Sequence, residues 1–155
     1  MAYTNDAGTY YIDAVVTGLP MLTEKYGNLQ LFSVELTAHN PFFYGAVQTI
    51  NAEDEIVIVT NAGDMPAPFT VTFAADVSPQ IYLDDGTKIE VESSVAEEVT
   101  VKTAYGEKAV LDATGTYNFN LITADSSFFS FPTGMFNLNC GGAVTVTWKP
   151  LYVGV

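Results

Sequence analysis

Period-two alternation of apolar and polar residues, cut by a turn signal roughly every ten positions, is the feature that most constrains this chain. Phe32, Val34 and Leu36 alternate with Ser33, Glu35 and Thr37. Phe69, Val71 and Phe73 alternate with Thr70, Thr72 and Ala74, and Val144, Val146 and Trp148 with Thr145, Thr147 and Lys149. Side chains of a strand point to opposite faces in turn, so each of these segments has one face to bury and one to leave wet. Residues 55–60 (Glu-Ile-Val-Ile-Val-Thr) read as a nearly continuous apolar strand. Asp84-Asp85-Gly86, between residues 81–83 and 87–92, marks a hairpin, because Asp-Gly suits a tight primed turn. Further strands are expected at residues 99–101, 108–113, 117–123 and 136–138. The best helical stretch, residues 93–98, is too short to matter. Roughly ten short strands with regular turns predict an all-β chain, a sandwich or a barrel.

The first 45 residues read differently from the rest. Residues 10–16 and 32–36 are expected to pair as a hairpin, with residues 21–28 as a polar connection turning at Gly27-Asn28. Asn40-Pro41-Phe42-Phe43-Tyr44-Gly45 then interrupts the alternation. Pro41 cannot donate to a ladder, so this is an edge or a link. The division expected is a hairpin segment over residues 1–45 and a sandwich over residues 46–155. The aromatic run is either a plug for the core or an exposed contact patch, and Pro41, Phe42, Phe43 and Tyr44 are the candidate interface residues. A two-stranded hairpin is marginal in water, so residues 10–36 are expected to need a partner surface.

Charge narrows the function. There are 18 acidic residues against 5 lysines and no arginine, for a net charge of −13. Nucleic acid and anionic lipid are gripped by clusters of Lys and Arg, so neither is an expected partner. Cationic surfaces remain possible ones. No apolar run is long enough to cross a bilayer, and residues 1–8 lack the basic-then-apolar order of a secretory signal. Cys140 is the sole cysteine, which rules out an intrachain disulfide and suits a chain made in a reducing cytosol.

The residues that chemistry needs are scarce. His39 is the only histidine, and neither it nor Cys140 sits in a nucleophile signature. One His and one Cys cannot complete a tetrahedral zinc site. Asp84-Asp85 and Glu53-Asp54-Glu55 lack the ligand order of a calcium loop. A glycosidase would need two carboxylates facing each other across a cleft, and no pair in the sequence has a special claim. Gly141-Gly142 lacks the setting of a phosphate loop. No catalytic, cofactor or metal site is therefore expected, and the chain is expected not to be an enzyme. Aromatics are the positive signal: Tyr10, Tyr11, Phe42, Phe43, Tyr44, Phe128, Phe129, Phe131, Trp148 and Tyr152 gather near strand ends. They read as core and oligomer contacts, or else as a sugar-stacking platform that would need Trp148 or a pair of tyrosines exposed beside polar groups.

Three stretches carry a family resemblance. One is the hairpin that closes on Asn40-Pro41-Phe42-Phe43-Tyr44. The second is Asn61-Ala62-Gly63-Asp64 followed by Pro66-Ala67-Pro68-Phe69-Thr70-Val71-Thr72-Phe73. The third runs from Ser126-Ser127-Phe128-Phe129-Ser130-Phe131-Pro132 through Val144-Thr145-Val146-Thr147-Trp148 to Tyr152-Val153-Gly154-Val155. In this order they resemble the distal tail protein family of long-tailed phages of Gram-positive hosts, a hub of the tail-tip baseplate. Thr133-Gly134-Met135-Phe136 stands where that family has Pro-Gly-x-Asn, and family members carry further ring-forming residues ahead of the hairpin. The resemblance implies an antiparallel β-sandwich of galectin-like or jelly-roll type with an N-terminal β-hairpin extension. It implies a structural role without catalysis, in which a homo-oligomer, a hexameric ring, joins the tail tube to tail-tip and receptor-binding proteins. The place implied is the virion tail tip, after synthesis in the host cytoplasm. The alternative is a non-catalytic carbohydrate-binding module for host surface glycans.

Overall fold

Antiparallel ladders account for every paired strand in the computed structural model, which describes residues 1–6, 8–27, 29–75, 79–93 and 95–153. Asn28 of the expected Gly27-Asn28 turn, Ser94 of the 93–98 segment, and the terminal Gly154 and Val155 lie outside the described residues.

Two sheets face each other. The first contains β8 (Gln48–Glu53), β10 (Phe69–Phe73), β13 (Val99–Lys102), β14 (Ala109–Leu111) and β16 (Ala143–Trp148), in the order β14-β13-β10-β16-β8. The second contains β9 (Ile56–Asn61), β11 (Gln80–Leu83), β12 (Lys88–Glu90) and β15 (Gly134–Gly141), in the order β12-β11-β15-β9. The alternation read from sequence is the packing pattern. Phe69, Val71 and Phe73 of β10 are buried, as are Val144, Val146 and Trp148 of β16, while Thr70, Thr72 and Thr147 are half-buried and Thr145 exposed. Val59, Ile81, Ile89, Leu138 and Cys140 cover them from the second sheet. The chain is the antiparallel β-sandwich that the sequence predicts.

Phe131 lies between the sheets, wholly buried. Its ring stacks on Phe69 with centroids 4.3 Å apart, meets Trp148 edge-on at 5.5 Å and Phe136 at 5.1 Å. The backbone of Phe131 exchanges two hydrogen bonds with Ala67, at 2.8 and 2.9 Å. Buried polar groups close the ends of this cluster. Asn61 Nδ2 donates to the carbonyls of Phe131 and Met65, and its Oδ1 accepts from the Gly63 amide. Thr103 Oγ1 donates to the Phe69 carbonyl and accepts from the Phe69 amide, standing in for a strand neighbour.

A smaller sheet joins the two ends of the chain. It contains β1 (Ala2–Asn5), β2 (Gly8–Tyr11), β7 (Phe43–Tyr44) and β17 (Leu151–Tyr152), in that order. The Asn61–Met65 turn grips β17: the amides of Asp64 and Met65 both donate to the Leu151 carbonyl, at 2.8 and 3.3 Å. Gly63 makes this approach possible, because a Cβ there would lie 2.6 Å from the Leu151 nitrogen and nearer still to its oxygen.

The N-terminal hairpin differs from expectation. Its ladder joins β3 (Val15–Val16) to β6 (Leu36–Thr37) and continues, after a break at Gly18-Leu19-Pro20, between β4 (Met21–Tyr26) and β5 (Leu29–Ser33). The supposed connection is thus itself a strand, and Tyr10 and Tyr11 of the expected arm pair instead in the small sheet. Gly27, at φ 58°, supplies the left-handed turn that keeps β4 and β5 adjacent. Phe32, Ser33 and Leu36 of the alternating stretch lie in strands as expected, whereas residues 21–26 (Met-Leu-Thr-Glu-Lys-Tyr) show no period-two pattern, so the strand character of β4 was not legible. Residues 117–123 also differ, since Phe119–Leu121 form a 3-10 turn whose Asn118 side chain accepts from the Asn120 amide. A short amide side chain of this kind offers the backbone an alternative to the ladder.

Gly63→Ala should cost about 1–3 kcal/mol of stability by overpacking against Leu151. Denaturant unfolding measures the loss. Amide exchange should locate it, with the Asp64 and Met65 amides losing protection before those of β10.

Candidate interaction surfaces

The aromatic seam at residues 40–44 ties the N-terminal segment to the sandwich. Asn40 Oδ1 accepts from the Phe42 amide at 3.2 Å, and its Nδ2 donates to the Tyr44 hydroxyl at 2.6 Å, which folds the Pro41 turn onto itself. Beyond it, β7 pairs with β17 on one side and with Tyr11 on the other. Strand alternation then separates the aromatics. Phe43 meets Tyr3 of the small sheet at 6.5 Å, whereas Phe42 and Tyr44 face the sandwich across a cleft of about 840 Å³. Of the four candidate interface residues, Pro41 is exposed, and Phe42, Phe43 and Tyr44 are half-buried. Lys149 lies over the Tyr44 ring at 5.8 Å and Lys108 over Phe128 at 5.6 Å, both lining the cleft with Asp13, His39 and Glu107. Partial burial, with Asp13 and Glu107 adding to it, raises the pKa of the Tyr44 phenol.

The residues weighed for chemistry are dispersed. His39 is exposed at the cleft, while Cys140 is buried on β15 inside the sandwich. The acidic candidates hold turns. Asp54, at φ 49°, accepts from the Gly142 amide at 2.7 Å. Asp85 accepts from the Thr87 amide at 2.8 Å, which holds its carboxyl below the usual range. Asp84 accepts from the side-chain amides of Asn137 and Asn139, at 3.0 and 3.2 Å. Among the described residues, no group of three or more His, Cys, Asp or Glu is placed to hold a metal. Trp148 is 6% exposed and packed against Phe131, so it cannot serve as a sugar platform.

The hairpin ribbon, expected from sequence to need a partner surface, is the second candidate. Leu22 and Phe32 are cross-strand partners, yet they are 70% and 69% exposed. Val15, Val16, Leu19, Met21 and Leu36 are exposed along the same ribbon. Exposed apolar side chains clustered on one element are a common feature of contact surfaces. The one signal available in sequence was its length, since a two-stranded ribbon has no core of its own.

Burial, with the nearby Glu55 adding to it, pushes the Cys140 thiol up to about 11. The folded state therefore favours the neutral thiol. The stabilisation is complete below the ordinary thiol value of 9.0 and is lost as pH climbs toward about 11. Iodoacetamide at mildly alkaline pH should leave the native protein unlabelled and react readily after unfolding. Fast labelling of the native state would show that the sandwich opens at β15.

Residues 60–152 match the family model described as siphovirus-type tail component, C-terminal domain. No curated protein matches the chain. Among solved structures, the Dit (gp 19.1) protein of SPP1, described as a paradigm of the hub adsorption apparatus in Gram-positive infecting phages, is similar over 92% of this chain with a TM-score of 0.70. The two are 14% identical, so the likeness is one of fold, and this chain spans 60% of the length of that protein. The family match runs from the end of β9 through β17, more than half of the sequence, and the chain belongs to the siphovirus-type tail component family.

Proposed function

We propose that this chain is a structural, non-catalytic part of a phage tail tip that works by assembling. It forms a homo-oligomer, a hexameric ring, which links the tail tube to the receptor-binding apparatus at the virion tail tip. The exposed apolar ribbon of β3 to β6 carries this reading. Residues 1–45 supply the contact between copies, and residues 46–155 form the sandwich that presents partner surfaces. Pairing of β7 with β17 and of Tyr11 with Tyr44 attaches the N-terminal segment to the sandwich. Family membership and the likeness to a hub adsorption protein support the reading.

Light scattering coupled to size exclusion tests it. The expected result is one discrete oligomer, which the double variant Leu22→Asp, Phe32→Asp converts to monomer without lowering the thermal midpoint of the sandwich. A monomeric parent protein, or a double variant that still assembles, would remove the ribbon as the interface.

A second reading, a carbohydrate-binding module, loses Trp148 but keeps one feature. Tyr82 is exposed on the outer face of the second sheet, beside Asp84 clamped by Asn137 and Asn139. An aromatic face next to planar polar groups is the chemistry that holds a sugar ring. A glycan array that shows binding lost on Tyr82→Ala would favour this reading, and a blank array would end it.

A further inference from the structure

Strand β9 ends the second sheet, with β15 on one side and no partner strand among the described residues on the other. The Cys140 amide donates to the Glu55 carbonyl at 2.9 Å, which sets the phase of the ladder. Antiparallel neighbours bond through alternate residues, so Val57, Val59 and Asn61 turn their main-chain groups toward β15. The N–H and C=O groups of Ile56, Ile58 and Thr60 therefore face the open edge. The same residues carry the outward side chains, and Ile56 and Ile58 are 66% and 71% exposed.

Natural edge strands are guarded by Lys, Pro, a bulge or short length, because an open edge recruits other strands. β9 has none of these. It runs six residues, Ile-Val-Ile-Val-Thr-Asn, in unbroken register with β15. The first sheet shows the contrast on the same flank. Its edge strand β8 turns Gln48, Thr49, Asn51 and Glu53 to solvent. Next to Ile58, Met135 and Phe136 line a hollow of about 500 Å³ with Asp84 and Asp85 at its rim.

We propose that β9 is a docking edge for an extended segment of a different protein, one that adds as a strand and alternates apolar with basic residues. Main-chain bonds to Ile56, Ile58 and Thr60 would hold the strand, and its apolar side chains would cover Ile56 and Ile58. The charge requirement follows from the surroundings. Glu53, Asp54 and Glu55 lead into β9, β9 itself carries no Lys, and the lysine of this sheet, Lys88, is already paired with Glu90 at 2.6 Å. A second copy would bring a further charge of −13 and no cation on its own β9, so it is the poorer occupant. This surface lies outside the hairpin ribbon and is independent of the oligomer that the ribbon builds.

The probe is a labelled synthetic peptide alternating Val and Lys, compared with one alternating Val and Glu, read by fluorescence anisotropy at physiological salt. The Lys peptide should bind at least about tenfold more tightly than the Glu peptide. Thr60→Pro should weaken binding by about tenfold or more while the thermal midpoint and circular dichroism stay close to the parent, because the N–H lost there faces outward. Val59→Pro, whose N–H faces β15, should instead disrupt the sheet. Leu22→Asp, Phe32→Asp should leave peptide binding unchanged, which separates this surface from the assembly interface. Equal affinity of the parent and a folded Thr60→Pro variant would overturn the proposal, as would equal or absent binding of the two peptides. An oligomer whose mass falls with Thr60→Pro would also overturn it, by placing a second copy at the edge.

Discussion

The contact between Phe131 and Phe69 is the one on which the rest of the structure depends. Phe131 belongs to neither main sheet, yet its backbone pairs with Ala67 and its ring fills the space between Phe69, Phe136 and Trp148. Loss of an aromatic from such a site typically costs about 3–5 kcal/mol, a large share of what a domain of this size has. The cluster also fixes what surrounds it. Asn61, wholly inside, bonds the Phe131 carbonyl, and that bond sets the turn that receives the last strand. Burying an amide is costly unless its partners are in place, so the turn and the aromatic cluster form together.

Through that turn the sandwich reaches the small sheet. Leu151 is held by Asp64 and Met65 on one side and paired with Tyr44 on the other, while Tyr152 packs edge-on against Tyr10 at 5.0 Å. The N-terminal segment is thus anchored at the seam, and the hairpin ribbon extends from that anchor with its apolar side chains exposed. In the proposed assembly the seam would be the base and the ribbon the contact surface. The net charge of −13 opposes non-specific self-association of a chain with exposed apolar side chains.

Much of the sandwich was legible. The phase of Phe69, Val71 and Phe73, and of Val144, Val146 and Trp148, is the phase of burial, and Asp85-Gly86 does make the β11–β12 turn. Trp148 is buried, as its place in an alternating strand predicts, whereas Cys140, whose neighbours Asn139, Gly141 and Gly142 predict a turn, lies buried on β15. The aromatic run at 42–44 was read as one unit, whereas strand alternation sends Phe43 to one face and its neighbours to the other. In the hairpin, Phe32 and Leu36 show the expected alternation, whereas β4 carries Thr23-Glu24-Lys25 with no period-two pattern and reads as a connection.

By itself the sequence determined the local facts: which segments are strands with an inner face, where tight turns occur, and that no arginine or histidine cluster exists for chemistry. These depend on the residue and its near neighbours. Only the tertiary structure decided which strands lie side by side, that β9 ends its sheet, that Leu151 closes on Gly63, and that Asp84 meets Asn137 and Asn139. Alternation specifies a face but not a neighbour. The neighbour is chosen by the packing of the whole core, in which residues as far apart as Asn61 and Phe131 must find each other.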